Sequence, residues 1–575
     1  MRTLRRAVVL GVLTVWIGPI PATAQVRITG AISGLVTDPS DAVVPGATVQ
    51  LKDEGTGITQ QTVTSSGGQF EFPNLSSGSY AVTVTLSGFQ TAVYDKVVVE
   101  SSRTTDLRIK LTVGSASETV TVSGASPILE STQNTIATTI SRKQVVELPL
   151  TSRDAFGLAR LVPGAVAPAG VGNSGSTHYN GMPGGVINPT IDGINNSSNG
   201  FKSGGTSFFD TVPSRLGAVE EVTVETAGLG GDAGVEGGVN LKFVTRRGTN
   251  TYHGSAFDEV QNDTLNASSY FNTSRGIAKP ALRRHDFGFN FGGPIVPKGT
   301  WREKLFLFVN YEEQWAPATQ TRSNTILTEE ARSGVFRYQT SAGEQRTVNL
   351  YDIAAANGFQ STPDPLMGAL LAQQATSRGL GTTSTNNLRT DLVSWVQPQT
   401  NVFYYPTARA DYQITPKLSW MGSWNLYRQD QRGRPNWMFS GYPIQLDTFH
   451  SSWWITSTGL NWQAKSNLFN EFRYGVQHSG DDTPGREFED YKLNGIANTG
   501  LPLRLSLPFG LNTLSADNAP ITGRHYITTL YDTTTWLKGA HTIKFGGNYR
   551  DTQWHDTSFD GTGSGGFLGD RKSVV

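Results

Sequence analysis

From Tyr252 onward the chain repeats one pattern, paired runs of about ten residues in which apolar and polar side chains alternate. Val402, Tyr404, Ala408, Ala410, Tyr412 and Ile414 share one parity, and Arg409, Asp411 and Gln413 take the other. After the turn Thr415-Pro416-Lys417, Leu418, Trp420, Trp424 and Leu426 alternate with Ser419, Ser423 and Asn425. Three more hairpins read alike: Phe287, Phe289 and Phe291 with Leu305, Leu307 and Val309; Trp453 to Gln463 with Leu468, Phe472, Tyr474 and Val476; and Tyr526 to Trp536 with Ile543, Phe545 and Tyr549. Successive side chains of a strand point to opposite faces, so this sheet is apolar on one side and polar on the other. Short turns at one end and long loops at the other (Gln314 to Thr400, Gln429 to Ser452, His478 to Arg524) predict a transmembrane antiparallel β-barrel. A large soluble β-sandwich would alternate too, but so many rows of exposed aromatic residues would drive aggregation. Tryptophan usage agrees, because residues 25 to 300 hold none and eleven of the twelve lie between Trp301 and Trp554. Trp collects where a wall crosses a membrane interface.

The N-terminus fits that destination. Arg2, Arg5 and Arg6 precede the apolar run Ala7 to Ile20, and Ala22-Thr23-Ala24 ends it. This is the three-part layout of a secretory signal and predicts cleavage between Ala24 and Gln25. The run is shorter than the roughly 20 residues of a spanning helix. No long apolar run follows, so membrane residence must be as strands. Lys plus Arg equals Asp plus Glu at 47 each, which leaves no global field to draw nucleic acid. Without a single Cys there is no disulfide framework, thiolate metal site or Cys nucleophile.

From Ile28 to about Val113, short alternating stretches are punctuated by Gly, Pro, Asn and Ser every ten or so residues, which predicts a small antiparallel sandwich. The order Val36-x-Asp38, Val44-Pro45-Gly46-Ala47-x-Val49, Gly68-x-Phe70-x-Phe72-x-x-Leu75-x-x-Gly78-x-Tyr80-x-Val82-x-Val84 and Ser87-Gly88-Phe89 resembles the carboxypeptidase regulatory-like domain, a transthyretin-type sandwich. No His is followed three residues later by Glu, so the zinc pair of a true carboxypeptidase is missing and the module reads as non-catalytic.

Pro189-Thr190-Ile191-Asp192-Gly193, Val222 to Thr226, Val244 to Asn250, Tyr252 to Ser255, Phe289 to Ile295 and Gly539 to Gly547 resemble the plug and first barrel strands of TonB-dependent outer-membrane receptors, in the Oar-like branch. The resemblance covers residues 25 to 565, with Ile191, Asp192 and Gly193 as its plug motif. Where that family reads Glu, aromatic, Gly, Arg before paired glycines, this chain has Asp232, Ala233, Gly234 and Val235 before Gly237 and Gly238, so that arginine is absent. The resemblance implies a barrel of about 22 strands in outer-membrane lipid, filled by a plug. It also implies import driven by strand exchange with the inner-membrane protein TonB. Glu118-Thr119-Val120-Thr121-Val122, acidic then β-branched, is the candidate TonB segment, because strand addition asks side chains only to favour extension. An ordinary last strand of the sandwich would read the same way.

The expected organisation is all-β dominated: signal peptide 1–24, carboxypeptidase regulatory-like sandwich 25–113, linker and plug 114–250, and an incomplete barrel 251–569. Its roughly nine strands are under half of a plugged transporter's wall. The residues Asp570 to Val575 lack a terminal aromatic and read as a non-native tail on a piece of a longer protein. Gly228 to Ala233 fits a dinucleotide fingerprint, but a β-branched strand rather than a helix follows. With no G-x-S-x-G, H-E-x-x-H or Walker Lys loop and eight scattered His, no catalytic, cofactor or metal site is expected. The expected function is a receptor that imports an external ligand to the periplasm, against an adhesion or scaffold barrel without transport. The loop segments Gln314 to Thr400, Arg432 to Tyr442 and Thr483 to Asn498 mix Trp, Tyr, Arg, Asp and Asn, which suits an oligosaccharide, a peptide or a chelate.

Overall fold

The structure is a computed structural model that describes residues 28–114, 119–123, 135–148, 150, 152–166, 177–182, 187–197, 210–227, 238–299, 301–435, 446–483, 492–493, 496–497, 504–505, 514–515, 521–538, 541–557 and 573–574. The signal sequence with Ala24 and Gln25, the fingerprint-like Gly228 to Ala233, and Glu118 lie outside the described residues.

The N-terminal unit is a two-sheet sandwich of β1 (Gly30–Thr37), β2 (Thr48–Asp53), β3 (Thr59–Val63), β4 (Gln69–Leu75), β5 (Gly78–Thr85), β6 (Thr91–Val99), β7 (Thr104–Lys110) and β8 (Thr119–Ser123). One sheet runs β4-β1-β7 and the other β3-β2-β5-β6-β8. Alternation does the packing: Tyr80, Val82 and Val84 of β5 are buried between the sheets with Val49, Leu51, Phe70 and Phe72. The sandwich departs from the antiparallel expectation at two places, since β1 pairs with β7, and β6 with β8, in parallel. Neither pair is joined by a hairpin, so a long connection sets their direction freely.

A third sheet, β13-β12-β15-β14-β9, is formed by β9 (Ile136–Ile140), β12 (Ile187–Ile191), β13 (Ile194–Asn195), β14 (Val219–Ala227) and β15 (Val239–Thr245), with the two-residue pair β10 (Ala165–Val166) and β11 (His178–Tyr179) beside it. Every residue of β12 and β15 is buried, polar ones included. A small sheet is buried on both faces only when something surrounds it, and its core cluster continues into Tyr405, Tyr427, Ile455 and Tyr531 of the enclosing wall.

That wall is one antiparallel sheet: β16 (His253–Asn262), β17 (Arg283–Pro294), β18 (Leu305–Leu327), β22 (Thr390–Tyr404) with β23 (Thr407–Thr415), β24 (Leu418–Pro435), β25 (Leu446–Lys465), β26 (Leu468–Thr483), β27 (Ile521–Lys538) and β28 (His541–Thr557). β22 and β23 are one wall strand interrupted at Tyr405-Pro406, since both pair with β18 and β24. Proline cannot donate to the ladder, which explains the break. The predicted hairpins are present: Phe291 pairs with Val309, Tyr474 with Thr458, and Trp536 with Ile543. Facing the plug are Asn290, Asn310, Glu312, Arg409, Ser457, Glu471, Arg473 and Gln477, all buried, while Phe289, Phe291, Trp424, Trp462, Phe545 and Tyr549 are exposed on the other face. Polar inside and apolar outside is the arrangement a membrane wall requires. Among the described residues β16 and β28 are not paired with each other, so the sheet is open.

The long loops need correction. Gln314 to Thr400 was expected to be loop, yet β18 extends to Leu327 and β22 starts at Thr390, paired in register over Glu313 to Leu327. A spanning strand needs about ten residues, so the 23 of β18 carry the wall well past the membrane. The hairpin β19 (Val335–Gln339) and β20 (Gln345–Asn349) and the strand β21 (Thr382–Thr385) decorate that extension. Likewise β24 and β25 reach into the segment expected as loop from Gln429 to Ser452, and β26 and β27 into that from His478 to Arg524.

Candidate functional site at the plug and wall interface

The plug motif forms the tight link from β12 to β13, where Ile191 pairs with Ile194 across Asp192 and Gly193. Both turn residues have left-handed backbone, Asp192 at φ 48° and Gly193 at φ 83°. Glycine is needed at the second for two reasons: the conformation itself, and a Cβ there would lie 2.5 Å from the Tyr531 hydroxyl on β27. Asp192 is fully buried. Its Oδ1 accepts from the Thr245 amide at 2.9 Å, and its main-chain oxygen accepts from Ser457 Oγ of β25 at 3.0 Å. Arg409 of β23 donates to the Thr245 carbonyl at 2.7 Å, grips Asp411 through two nitrogens at 2.9 and 3.0 Å, and approaches Asp192 Oδ1 at 3.9 Å. On β26 the buried Arg473 pairs with Glu471 at 2.8 Å. The turn is therefore seated in the wall by the Ser457 hydrogen bond and the approach of Arg409, beside the apolar cluster that Ile191 and Ile194 share with Ile455 and Tyr531.

A second cluster lies across the plug. Glu312 of β18 is 1% exposed at its side chain and accepts from two plug arginines, Arg153 Nε and Arg215 Nε, at 3.1 Å each, and from the Gly217 amide at 3.0 Å. Arg215 also faces Asp286 at 3.9 Å and lies over the Tyr405 ring at 4.3 Å. Arg153 reaches Glu259 of β16 and covers Phe257. Arg246 donates to Asn290 Oδ1 at 2.9 Å and sits over Phe308. The plug thus offers cations to an anionic sector of the wall. Buried pairs of this kind add little net stability, but removing one partner strands a charge and costs several kcal/mol. They fix the register of a plug whose apolar core also continues into the wall.

The third contact is made by the sandwich at the end of the wall where the turns are short. Arg247, just after β15, pairs with Asp53 at 2.8 Å, and the Asn250 amide donates to the Gly55 carbonyl at 2.9 Å. The turn between β6 and β7 meets β14 and β15: the Ser101 amide donates to Glu221 Oε1 at 2.7 Å and Lys242 Nζ to Ser102 Oγ at 2.8 Å. Lys242 is also paired with Glu225 at 2.6 Å. Burial pushes the Glu221 carboxyl up to about 7, although the bonds from Ser101 pull the other way. Thr29 and Thr62 of the sandwich bond Glu471 and the Ser466 carbonyl of the wall. Between sandwich, plug and wall lies a cavity of about 80 Å³ edged by Asp53, Tyr80, Arg247, Arg409, Asp411 and Arg473.

Of the residues singled out in the sequence, Ile191, Asp192 and Gly193 come together with the wall, whereas Thr119, Val120, Thr121 and Val122 lie at the edge of the sandwich against β6. Arg153, Arg215, Glu312, Arg473 and Glu471 were not anticipated. For Glu312, Glu471 and Arg473 the one signal was a charge at the inward parity of a wall strand, as Glu312 is in Leu305-Phe306-Leu307-Phe308-Val309-Asn310-Tyr311-Glu312, and the plug residues Arg153 and Arg215 carried none.

The family model described as outer membrane beta barrel domain matches residues 244–573, and the carboxypeptidase regulatory-like domain matches residues 31–112. The chain belongs to the outer-membrane β-barrel domain family. The barrel domain places it in the outer membrane, with a carboxypeptidase regulatory-like sandwich ahead of the barrel. It is 23% identical over 315 residues to the TonB-dependent transporter Oar of Myxococcus xanthus, covering 52% of this chain and 28% of that one. Among solved structures it is similar to the outer membrane transporter YddB of Escherichia coli (TM-score 0.48, 11% identity, 74% of this chain and 49% of that chain). It is also similar to the siderophore receptor PirA of Acinetobacter baumannii (TM-score 0.40, 11% identity, 73% of this chain and 48% of that chain). The chain thus spans about a quarter to a half of the length of these relatives.

Proposed function

We propose that the protein is a TonB-dependent outer-membrane receptor, not an enzyme, that binds an external ligand and passes it to the periplasm. The observation that carries this is a β plug held inside an apolar-faced wall by buried ion pairs, with Glu312 shared between Arg153 and Arg215. The ion pairs act beside the apolar cluster that the plug shares with Tyr405, Tyr427, Ile455 and Tyr531, and they set its register in the wall. The relatives named as transporters and as a siderophore receptor fit the same reading. We assign residues 25–113 to the sandwich, 114–250 to the linker and plug, and 251–569 to the wall. Glu118, Thr119, Val120, Thr121 and Val122 are the segment we propose for TonB, and an oligosaccharide, a peptide or a chelate all suit the polar and aromatic outer loops. A barrel used for adhesion or scaffolding is the second reading, favoured by the fact that Thr119–Ser123 is already engaged within the chain.

Cross-linking separates them. The sequence has no Cys, so Val120→Cys is a single reporter. In outer membranes it should form a disulfide with a cysteine placed in the edge strand of TonB's C-terminal domain, while Lys110→Cys should not. Absence of any Val120 product, with surface retention intact, would favour the adhesion barrel.

A further inference from the structure

Strand β8 runs parallel to the first half of β6, with Thr91 opposite Thr119, Ala92 opposite Val120, Val93 opposite Thr121, Tyr94 opposite Val122 and Asp95 opposite Ser123. It closes the edge that β6 would otherwise present, because the opposite edge of that sheet, β3, lies against the wall through Thr62 and Gln61. The residues proposed above for a strand-adding partner therefore already spend their main-chain groups on strand addition within the chain. β6 is also split: Lys96 has left-handed backbone at φ 55°, and the register with β5 shifts between Tyr80 and Val82. The half before this bulge holds β8. The half after it leads into the Ser101 and Ser102 turn that is bonded to Glu221 and Lys242 of the plug.

We infer that the carboxypeptidase regulatory-like sandwich is a strand lock, whose β6 edge sequesters Thr119–Ser123 so that a partner adding a strand to this segment must first displace it. The partner's identity rests on the function proposed above; the lock itself does not. Sequestration lowers apparent affinity by the fraction of time the segment is free, so a lock closed ten times as often as open weakens binding about elevenfold. The sandwich is suited to hold it, because parallel pairing is slightly weaker per residue than antiparallel and only five residues take part, which makes the pair reversible.

The test is a double variant, Val93→Cys with Thr121→Cys, in the full-length protein in outer-membrane preparations. With no native Cys, a disulfide between these opposed residues is unambiguous. Lys110→Cys with Thr121→Cys is the mispaired control. The lock predicts ready oxidation of the opposed pair only, and at least a tenfold loss of affinity for purified TonB C-terminal domain in the oxidised form, restored by reductant. Failure of the pair to oxidise, or equal binding by oxidised and reduced protein, overturns the lock. If neither wild type nor reduced variant binds TonB, the partner assignment falls, and amide exchange decides on the lock. Replacing Thr119–Ser123 by a Gly-Ser linker must then deprotect those amides of Thr91 to Asp95 that face β8 and not β5, and unchanged protection of them overturns it.

Discussion

Glutamate 312 offers the sharpest perturbation of the plug. Its carboxylate takes Nε–H donors from Arg153 and Arg215 and the Gly217 amide, and almost none of it is exposed. In Glu312→Gln the amide keeps one acceptor oxygen, enough for Gly217, but turns an NH2 group toward two guanidinium groups. Arg153 retains Glu259, which is half exposed, whereas Arg215 keeps Asp286 at 3.9 Å, the field of Asp154 and the Tyr405 ring. Breaking a buried pair from one side costs about 3–5 kcal/mol. Because Arg153 is partly compensated, the low end applies, and about 3 kcal/mol is roughly 150-fold in an opening equilibrium. A single cysteine at Val224, which is 1% exposed in the plug core, reports that equilibrium through its maleimide labelling rate in native membranes. Labelling should rise about a hundredfold in Glu312→Gln, and Arg215→Gln added to it should recover part of the loss because the stranded cation is gone. A change of less than threefold would refute the claim that this cluster seats the plug.

Three further outcomes follow from the same geometry. Gly193→Ala should destabilise plug seating by about 1–3 kcal/mol through left-handed backbone and the contact with Tyr531, and Tyr531→Phe should relieve the contact part in thermal unfolding. Glu221 has its carboxyl raised from 4.5 to about 7, so the assembled plug and sandwich bind the proton more tightly than the unfolded chain. The stability this confers is full below pH 4.5 and is lost as pH rises through 7. Resistance to urea should fall by up to about 3 kcal/mol between pH 4.5 and 8, and Glu221→Gln should flatten the profile. Residues 28–114 expressed alone should give a soluble, cooperatively unfolding monomer by circular dichroism, because Phe70, Phe72, Tyr80, Val82 and Leu107 form a core of their own.

The wall hairpins were legible because burial on one face and lipid on the other impose the same period-two pattern that the sequence displays, as in Phe287-Gly288-Phe289-Asn290-Phe291. The outer half of β18 was not, since Thr319 to Asn324 lies beyond the membrane, where water meets both faces and no dyad is required. The plug motif was legible only through the resemblance that Pro189 to Gly193 carries, and the left-handed turn at Asp192 and Gly193 is what the structure adds. Its electrostatic seat was not: Glu312 is 97 residues from Arg215 and 159 from Arg153, and pairings that distant leave no periodic trace in one sequence. The parallel place of β8 was hidden for a related reason, because Thr119–Ser123 is extended and β-branched whichever edge it joins.

The central claim is a membrane wall closed from within by a plug, and β25 tests it most directly. Single spin labels from Trp454 to Asn461 in lipid should alternate with a period of two. The even positions Trp454, Thr456, Thr458 and Leu460 should be relaxed by oxygen dissolved in lipid. Ile455 and Ser457, buried on the plug side of the wall, and Gly459, buried under Arg473, should be shielded from both oxygen and a water-soluble nickel chelate. Equal access of the nickel chelate to both parities would contradict the account, for it would describe a sheet in water rather than a plugged wall in a membrane.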